Sequence, residues 1–241
     1  MIVGNGYIAR LMKEFETSST ILIFASGVSN SNCIDEKEYE REIKLFRQVI
    51  QNHPSHKIVY FSTVSVGDPS LQKKRYIQHK LYMERLISTH HPNHLIFRLP
   101  NILSNNQNPH LFLPFILKKI INDEVFELHI NSYRYWIEEQ DAFRIMKSIL
   151  TSNREVGTYP IINSYEPIST KDFLEILMKI LDKPIKYSSI KEGSYYTAPI
   201  ERTLPFILRA SVPYFLDTSE YMNYIEKSIK KLKIKELWIN V

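Results

Sequence analysis

Tyr76 and Lys80 lie four residues apart, a spacing that on a helix puts a phenol and an ammonium on one face, about one turn apart. An ammonium beside a phenol stabilises the phenolate, so the pair would let Tyr76 exchange a proton nearer neutral pH. In a chain with 15 Tyr and 31 Lys and Arg the spacing also arises by chance, so its meaning depends on what positions it. Residues 57–63 are an apolar run ending in the hydroxyls of Ser62 and Thr63. They read as a buried strand, with residues 64–70 as the loop at its carboxyl end, where open α/β sheets place ligands. The helix carrying Tyr76 and Lys80 follows and is expected to run to about residue 88, with Leu81, Met83 and Leu86 inward.

A second candidate stands at residues 4–9. Gly4-Asn5-Gly6-Tyr7-Ile8-Ala9 follows a short apolar run and precedes a helical one at residues 10–15. This is the strand, turn and helix context of a dinucleotide-binding G-x-G-x-x-G/A. Gly4 would permit the tight turn, and Gly6 would let backbone N–H groups approach a pyrophosphate. Ala9 is small enough for the helix to pack on the sheet. With no ligand, the same stretch is simply a glycine turn between strand and helix. The second strand, with its acidic residue for the adenosine ribose, has nowhere to fit. Residues 17–20 are a short polar connector, and residues 21–27 are already another buried strand, ending in Ala25-Ser26-Gly27.

Bulk composition bounds the function. The chain has 241 residues, 44% of them hydrophobic and 24% charged, which suits one well-filled core. A net charge of +5 favours anionic small ligands, and no dense basic stripe accompanies aromatic-rich strands as nucleic-acid binding would need. Cys33 is the single Cys, which rules out an intrachain disulfide and a thiolate zinc site. The opening Met1-Ile2-Val3-Gly4 carries no basic n-region, and no apolar run approaches the length of a membrane span, so the expected location is cytoplasmic.

The remaining elements follow in order. Residues 35–51 carry a helical stripe at Tyr39, Ile43, Phe46, Val49 and Ile50. His90, His91 and His94 are split by Pro92, which removes the helical spacing that metal chelation would use. Strands are expected at residues 94–101, 126–130, 133–137 and 157–163, and helices at 111–121, 141–150 and 170–181. Residues 221–237 read as a Lys-rich amphipathic helix with a solvated outer face. Residues 185–241 otherwise give no clear pattern, and Tyr195, Tyr196, Thr197, Pro199 and Arg202 could line a pocket or lie in a loop.

Taken together these parts resemble an extended short-chain dehydrogenase/reductase, the branch of NAD(P)-dependent epimerases and reductases acting on nucleotide sugars. The resemblance rests on the glycine turn, Ala25-Ser26-Gly27, the strand ending in Ser62-Thr63, Tyr76-x-x-x-Lys80 and Arg98-Leu99-Pro100-Asn101. Arg134-Tyr135-Trp136-Ile137 with Asp141, and Tyr159 to Asn163 with Glu166-Pro167-Ile168-Ser169, resemble the family's later segments, so the likeness spans about residues 1–182. It implies a Rossmann-like α/β fold, a parallel sheet with helices on both faces, here lacking the usual second strand and helix. It also implies a shortened dinucleotide-binding core over residues 1–100 and a substrate-binding region over 101–241, interleaved with the last sheet strands as one compact unit.

The resemblance also assigns roles by position. Thr63 would donate a hydrogen bond to the substrate oxygen, Tyr76 would exchange its proton, and Lys80 would hold the nicotinamide ribose and lower the Tyr76 pKa. Gly4, Asn5, Gly6, Tyr7, Ile8, Arg10, Ala25, Ser26, Gly27, Ser62, Lys80 and Pro100 would bind the cofactor, and Val64, Ser65, Asn101 and Arg134 the substrate, with Arg134 at the nucleotide diphosphate. The cofactor would be NADP or NAD, leaning to NADP because Arg10 or Lys13 could meet a 2′-phosphate. Gly67 stands where the family usually has a Tyr, and Val64-Ser65 stand where its 4,6-dehydratases carry Asp-Glu, which disfavours loss of water. A keto-sugar reductase, a 4-epimerase and a non-catalytic Rossmann-type binding protein all remain open. A homodimer through the helix at residues 35–51 and the Tyr76 helix is also implied.

Overall fold

Apolar runs with strict alternation build the sheet, and short connections order it. The structure is a computed structural model and describes residues 1–152, 154–232 and 234. Strand β1 (Ile2–Val3) leads through helix α1 (Tyr7–Leu11) and a 3-10 turn (Lys13–Phe15) to β2 (Ile21–Phe24). Helix α2 (Glu36–Asn52), β3 (Lys57–Thr63), α3 (Arg75–His90) and β4 (His94–Leu99) follow. After β5 (Asn101–Leu103), α4 (Phe112–Ile121), β6 (Phe126–His129), β7 (Tyr133–Arg134), β8 (Trp136–Glu138) and α5 (Glu139–Leu150), the chain returns to the sheet as β9 (Gly157–Pro160). Then come β10 (Ile168–Ser169), α6 (Thr170–Leu181), β11 (Tyr187–Ile190), α7 (Leu204–Arg209) and α8 (Thr218–Lys231).

The main sheet is parallel, in the order β1-β2-β3-β4-β9. Along β2, β3 and β4 the side chains alternate. Ile23, Val59, Phe61, Leu95 and Phe97 face one side, where they meet Met12 and the α5 residues Ile145, Met146 and Ile149. Leu22, Phe24, Ile58, Tyr60 and Ile96 face the other, where they meet Phe46 and Val49 of α2 and Met83, Leu86 and Ile87 of α3. This is the period-2 rule of a sheet covered on both faces.

The expected absence of a second strand takes a definite topological form. In a doubly wound sheet of order 3-2-1-4-5-6, β1 is central and the strand order reverses beside it. Here β1 is the edge strand and the order never reverses. The crossovers β1-α1-β2 and β2-α2-β3 advance in the same direction, yet α1 packs on one face and α2 on the other. They are therefore of opposite hand, so one runs against the usual right-handed preference. That geometry is what remains if a strand outside β1 is removed while α1 keeps its place.

Several boundaries differ from expectation. β2 stops at Phe24 rather than Gly27, because its edge partner β1 ends at Val3, which pairs with Phe24. The expected strand over 133–137 is split by two non-local partners. Tyr133 and Arg134 pair antiparallel with β10, and Trp136 to Glu138 pair parallel with β5. A second hydrophobic cluster forms here from α4, β6, α6 and α8, centred on Trp136 and Phe173, whose rings stack at 3.7 Å. Ser169 caps α6 by accepting from the Asp172 N–H. The end of the expected helix at 221–237 lies outside the described residues. Among the described residues no helix is long and apolar enough to cross a membrane.

Candidate active site

At the glycine turn the two glycines serve different needs. Gly4 has φ +119, and a Cβ there would fall 2.4 Å from the Ala25 carbonyl oxygen, so the close approach of β1 and β2 requires glycine. Gly6 caps α1, and a Cβ there would meet nothing within 4 Å, leaving open space before its backbone. Tyr7 donates to Glu139 Oε2 at 2.5 Å and Ile8 packs into the main core. Arg10 is exposed and donates to the Asn5 carbonyl at 3.0 Å. Arg41 of α2, which no motif singled out, donates to the Ser26 carbonyl at 3.3 Å and to its hydroxyl at 3.4 Å. A cavity of about 480 Å³ opens beside this turn, with Tyr7, Arg10, Asn106 and Glu139 in its wall.

Helix α3 brings Tyr76 and Lys80 together as the spacing predicts: Lys80 Nζ lies 5.7 Å from the Tyr76 ring centre. The Lys80 ammonium, however, is 3% exposed and already partnered. It donates to the Tyr60 hydroxyl at 2.9 Å and to the Phe61 carbonyl at 3.4 Å, and it lies 3.6 Å from Glu42 Oε1. Glu42 is wholly buried and accepts from the Val28 N–H at 2.6 Å and the Tyr60 hydroxyl at 2.6 Å, with His79 Nε2 at 3.0 Å. Gly27 covers the pair. A Cβ there would stand 2.9 Å from Glu42 Oε1 and 3.0 Å from Lys80 Nζ, so this glycine is dictated by the ion pair beneath it.

The electrostatics follow from that burial. Burial alone would raise the Glu42 carboxyl, but Lys80 and the hydrogen bonds from His79, Tyr60 and the Val28 N–H outweigh it and bring the group down to about 2. Lys80 is lowered, because burial outweighs the attraction of Glu42. The expectation that Lys80 depresses the Tyr76 phenol is overturned. Burial first, then the charges of Glu42 and Tyr39, push it well above the value of a free phenol. Glu42 was legible in principle: it falls on the same helical face as Tyr39, Phe46 and Val49, a carboxylate inside an apolar stripe.

At the end of β3, Thr63 Oγ1 accepts from the Ser65 N–H at 3.2 Å and caps a 3-10 turn, which leaves its own proton free to donate. That turn points Val64 inward. At 3% exposure Val64 belongs to the main core, which corrects its assignment as a substrate contact. Ser65 is half-buried and hydrogen-bonds Tyr196. The Tyr196 ring covers Gly67, 3.4 Å from where a Cβ would stand, so an aromatic from the C-terminal region fills the space opened by the absent Tyr. Asp68, also buried, is held by the hydroxyls of Ser70 at 2.7 Å and Ser194 at 2.6 Å.

Arg134 stands near this loop. It lies over the Phe112 ring, 4.3 Å from its centre. Among the described residues it makes no ion pair, its Nε is buried without a partner, and burial lowers its pKa against the weaker pull of Tyr196 and Asp68. Pro100 joins β4 to β5, and the Asn101 backbone and side-chain N–H groups both donate to the Tyr135 carbonyl, at 3.0 and 3.2 Å. Ser62 is buried, and its hydroxyl has no partner among the described residues.

The residues present fit a dinucleotide at its pyrophosphate: the open face of Gly6, with Ser26 beyond the neighbouring strand end and Arg41 of α2 on it. Among the described residues no strand flanks the outer edge of β1, where the acidic adenosine selector would stand.

No protein-family model matches this sequence, and no curated protein matches it. Solved structures do share its fold. UDP-glucuronic acid 4-epimerase from Bacillus cereus, in complex with UDP-glucuronic acid and NAD, is 16% identical with a TM-score of 0.67, covering 92% of this chain and 78% of that one. UDP-glucose 4-epimerase from Thermus thermophilus, in complex with NAD, is 12% identical with a TM-score of 0.64, covering 92% and 81%. dTDP-glucose 4,6-dehydratase from Bacillus anthracis, in complex with NAD, is 16% identical with a TM-score of 0.63, covering 95% and 78%. At these identities the likeness is one of fold, and the fold is the one these two epimerases and the dehydratase share.

Proposed function

We propose that this chain is an NAD(P)-dependent reductase of a nucleotide-linked keto-sugar. The observations that support the reading are a Thr63 hydroxyl whose proton its cap does not use, and a Tyr76 phenol and an Arg134 guanidinium without a hydrogen-bond or ion-pair partner among the described residues, Arg134 standing near the loop that follows Thr63. Thr63 donates a hydrogen bond to the carbonyl oxygen of the sugar. Tyr76, held protonated by its surroundings, delivers a proton to the same oxygen as it becomes a hydroxyl. A bound nicotinamide supplies the hydride. Arg134 offers its planar fork to the diphosphate, and Phe112 beneath it fixes the orientation. Pro100 and Asn101 border the same end of the sheet.

The likeness to solved 4-epimerases favours a second reading, a nucleotide-sugar 4-epimerase, in which a sugar hydroxyl is oxidised and reduced again on its other face. It would interconvert two epimers without net use of NAD(P)H. A non-catalytic binding protein would do neither. The expected lean to NADP rests on Arg10 or Lys13, while the solved structures named above hold NAD and favour neither form for this chain. With no acidic residue on a second strand, the chain is expected to bind NADH and NADPH with dissociation constants within about threefold of each other, under 1 kcal/mol of discrimination. Cofactor fluorescence titration checks this. Binding of neither cofactor would sink the enzyme reading. The implied homodimer would use the outer faces of α2 and α3, where Tyr82 is 38% exposed and Arg47 stands 3.5 Å from its hydroxyl.

A further inference from the structure

The buried pair Glu42 and Lys80 has a role that none of the motifs assigns. A Lys four residues after the proton-donating Tyr would ordinarily present a free positive charge to the site. Here that charge is enclosed. Each Nζ hydrogen is within reach of a protein oxygen, on Tyr60, Phe61 or Glu42, and the ammonium lies under Gly27. Glu42 is held by four donors and has no water-facing surface.

We infer that Glu42 is a positioning residue that locks Lys80 into a closed, charge-neutral pair, so that Tyr76 acts as a proton donor in carbonyl reduction and not as a base in alcohol oxidation. The inference rests on the proposed reductase reading and deepens it by choosing between its two directions. A 4-epimerase must begin by taking a proton from a sugar hydroxyl, which needs a phenolate at working pH. A reductase starts from the phenol, and the phenolate it leaves takes its proton back from solvent before the next turnover. The charged and titratable groups around the pair and the phenol all bear on this. Glu42 and Tyr39 of α2 act on Tyr76, Tyr60 of β3 feels it, His79 of α3 hydrogen-bonds Glu42, and Glu84 of α3 acts on Lys80. Glu84 is itself neutralised by Arg98 of β4, at 2.6 Å, and Glu36 of α2 by Arg75 of α3. Among the described residues Glu42 is the carboxylate that both raises the phenol and engages Lys80 directly.

The test titrates phenolate absorbance without cofactor or substrate. Wild type is compared with Tyr76→Phe, and Glu42→Gln with the Glu42→Gln/Tyr76→Phe double variant, so each difference isolates Tyr76. The expected result is no Tyr76 phenolate in the wild type up to a pH of about 10, the ordinary phenol value. In Glu42→Gln the Tyr76 transition should fall by about one unit or more. If Glu42→Gln does not fold, Glu42→Gln/Lys80→Met removes both charges of the neutral pair at once and must leave the Tyr76 transition where the wild type has it. A wild-type Tyr76 that titrates near pH 8, a transition that does not move in folded Glu42→Gln, or one that falls in folded Glu42→Gln/Lys80→Met overturns the inference. If the titrations come out as expected yet the chain binds neither NADH nor NADPH, the reductase reading fails while the Glu42 clamp stands.

Discussion

Tyr76→Phe is expected to lower turnover by about 10²- to 10⁴-fold, the usual contribution of a positioned proton donor, while leaving cofactor affinity and folding close to wild type. The reason for the separation is geometric. The Tyr76 hydroxyl has no hydrogen-bond partner among the described residues, so its removal leaves no buried group unsatisfied. The ring, which packs beside Lys80, is retained. Loss of kcat with KM and melting temperature unchanged is the signature of an interaction made only during reaction. Steady-state kinetics with thermal melting reads all three, and unchanged turnover would refute the proton-donor role. Lys80 cannot serve for the same experiment. Removing it leaves Glu42 buried without its counter-charge, a change of about 3–5 kcal/mol that would mix stability with chemistry.

Arg134→Leu is expected to raise the KM for a nucleotide-linked sugar about 10- to 100-fold, from the loss of one or two charge-assisted hydrogen bonds at about 1.5–3 kcal/mol in all. Its effect on kcat should be much smaller, because the diphosphate is remote from the reacting carbonyl. Stability should not fall. The guanidinium makes no ion pair among the described residues, and burial without a carboxylate partner is a cost that Leu over Phe112 avoids. A variant of equal or higher melting temperature with weakened substrate binding would show a cation kept for a ligand. A variant that melts well below wild type with substrate affinity intact would show a structural Arg and remove the diphosphate assignment. Arg134→Lys makes the reading sharper, since a point charge without the planar fork should recover only part of the affinity.

Much of this was legible in the sequence for a simple physical reason: the sheet is built from local patterns. The run Lys57 to Thr63 spells a buried parallel strand, and the stripes of α2 and α3 spell the helices that cover it. The spacing of Tyr76 and Lys80 survives because a helix preserves it. What failed was whatever depended on distant partners. The division of residues 133–137 between β5 and β10 reflects pairings that local alternation cannot show. Val64 was placed at the substrate by its position after Thr63, and the 3-10 turn reversed its direction. The closure of Lys80 by Glu42 joins α2 to α3 across β3, and only the packed structure shows that the carboxylate and the ammonium meet under Gly27. The same holds for Tyr196, which supplies from the far end of the chain the aromatic face that Gly67 lacks. The missing strand was visible as a shortage of residues, whereas its consequence, β1 at the edge with α1 on the face opposite α2, was not.

The central claim is that this pared-down lobe still delivers hydride to a carbonyl while Tyr76 delivers the proton. The most direct measurement is isotope transfer. The protein is incubated with NADPH or NADH carrying deuterium on the transferable nicotinamide carbon, together with a panel of nucleotide-linked 4-keto sugars, and the products are read by mass spectrometry. The account predicts one deuterium in the sugar, on the carbon that bore the carbonyl, with wild type and not with Tyr76→Phe. Absence of transfer to every member of the panel with both cofactors would contradict it.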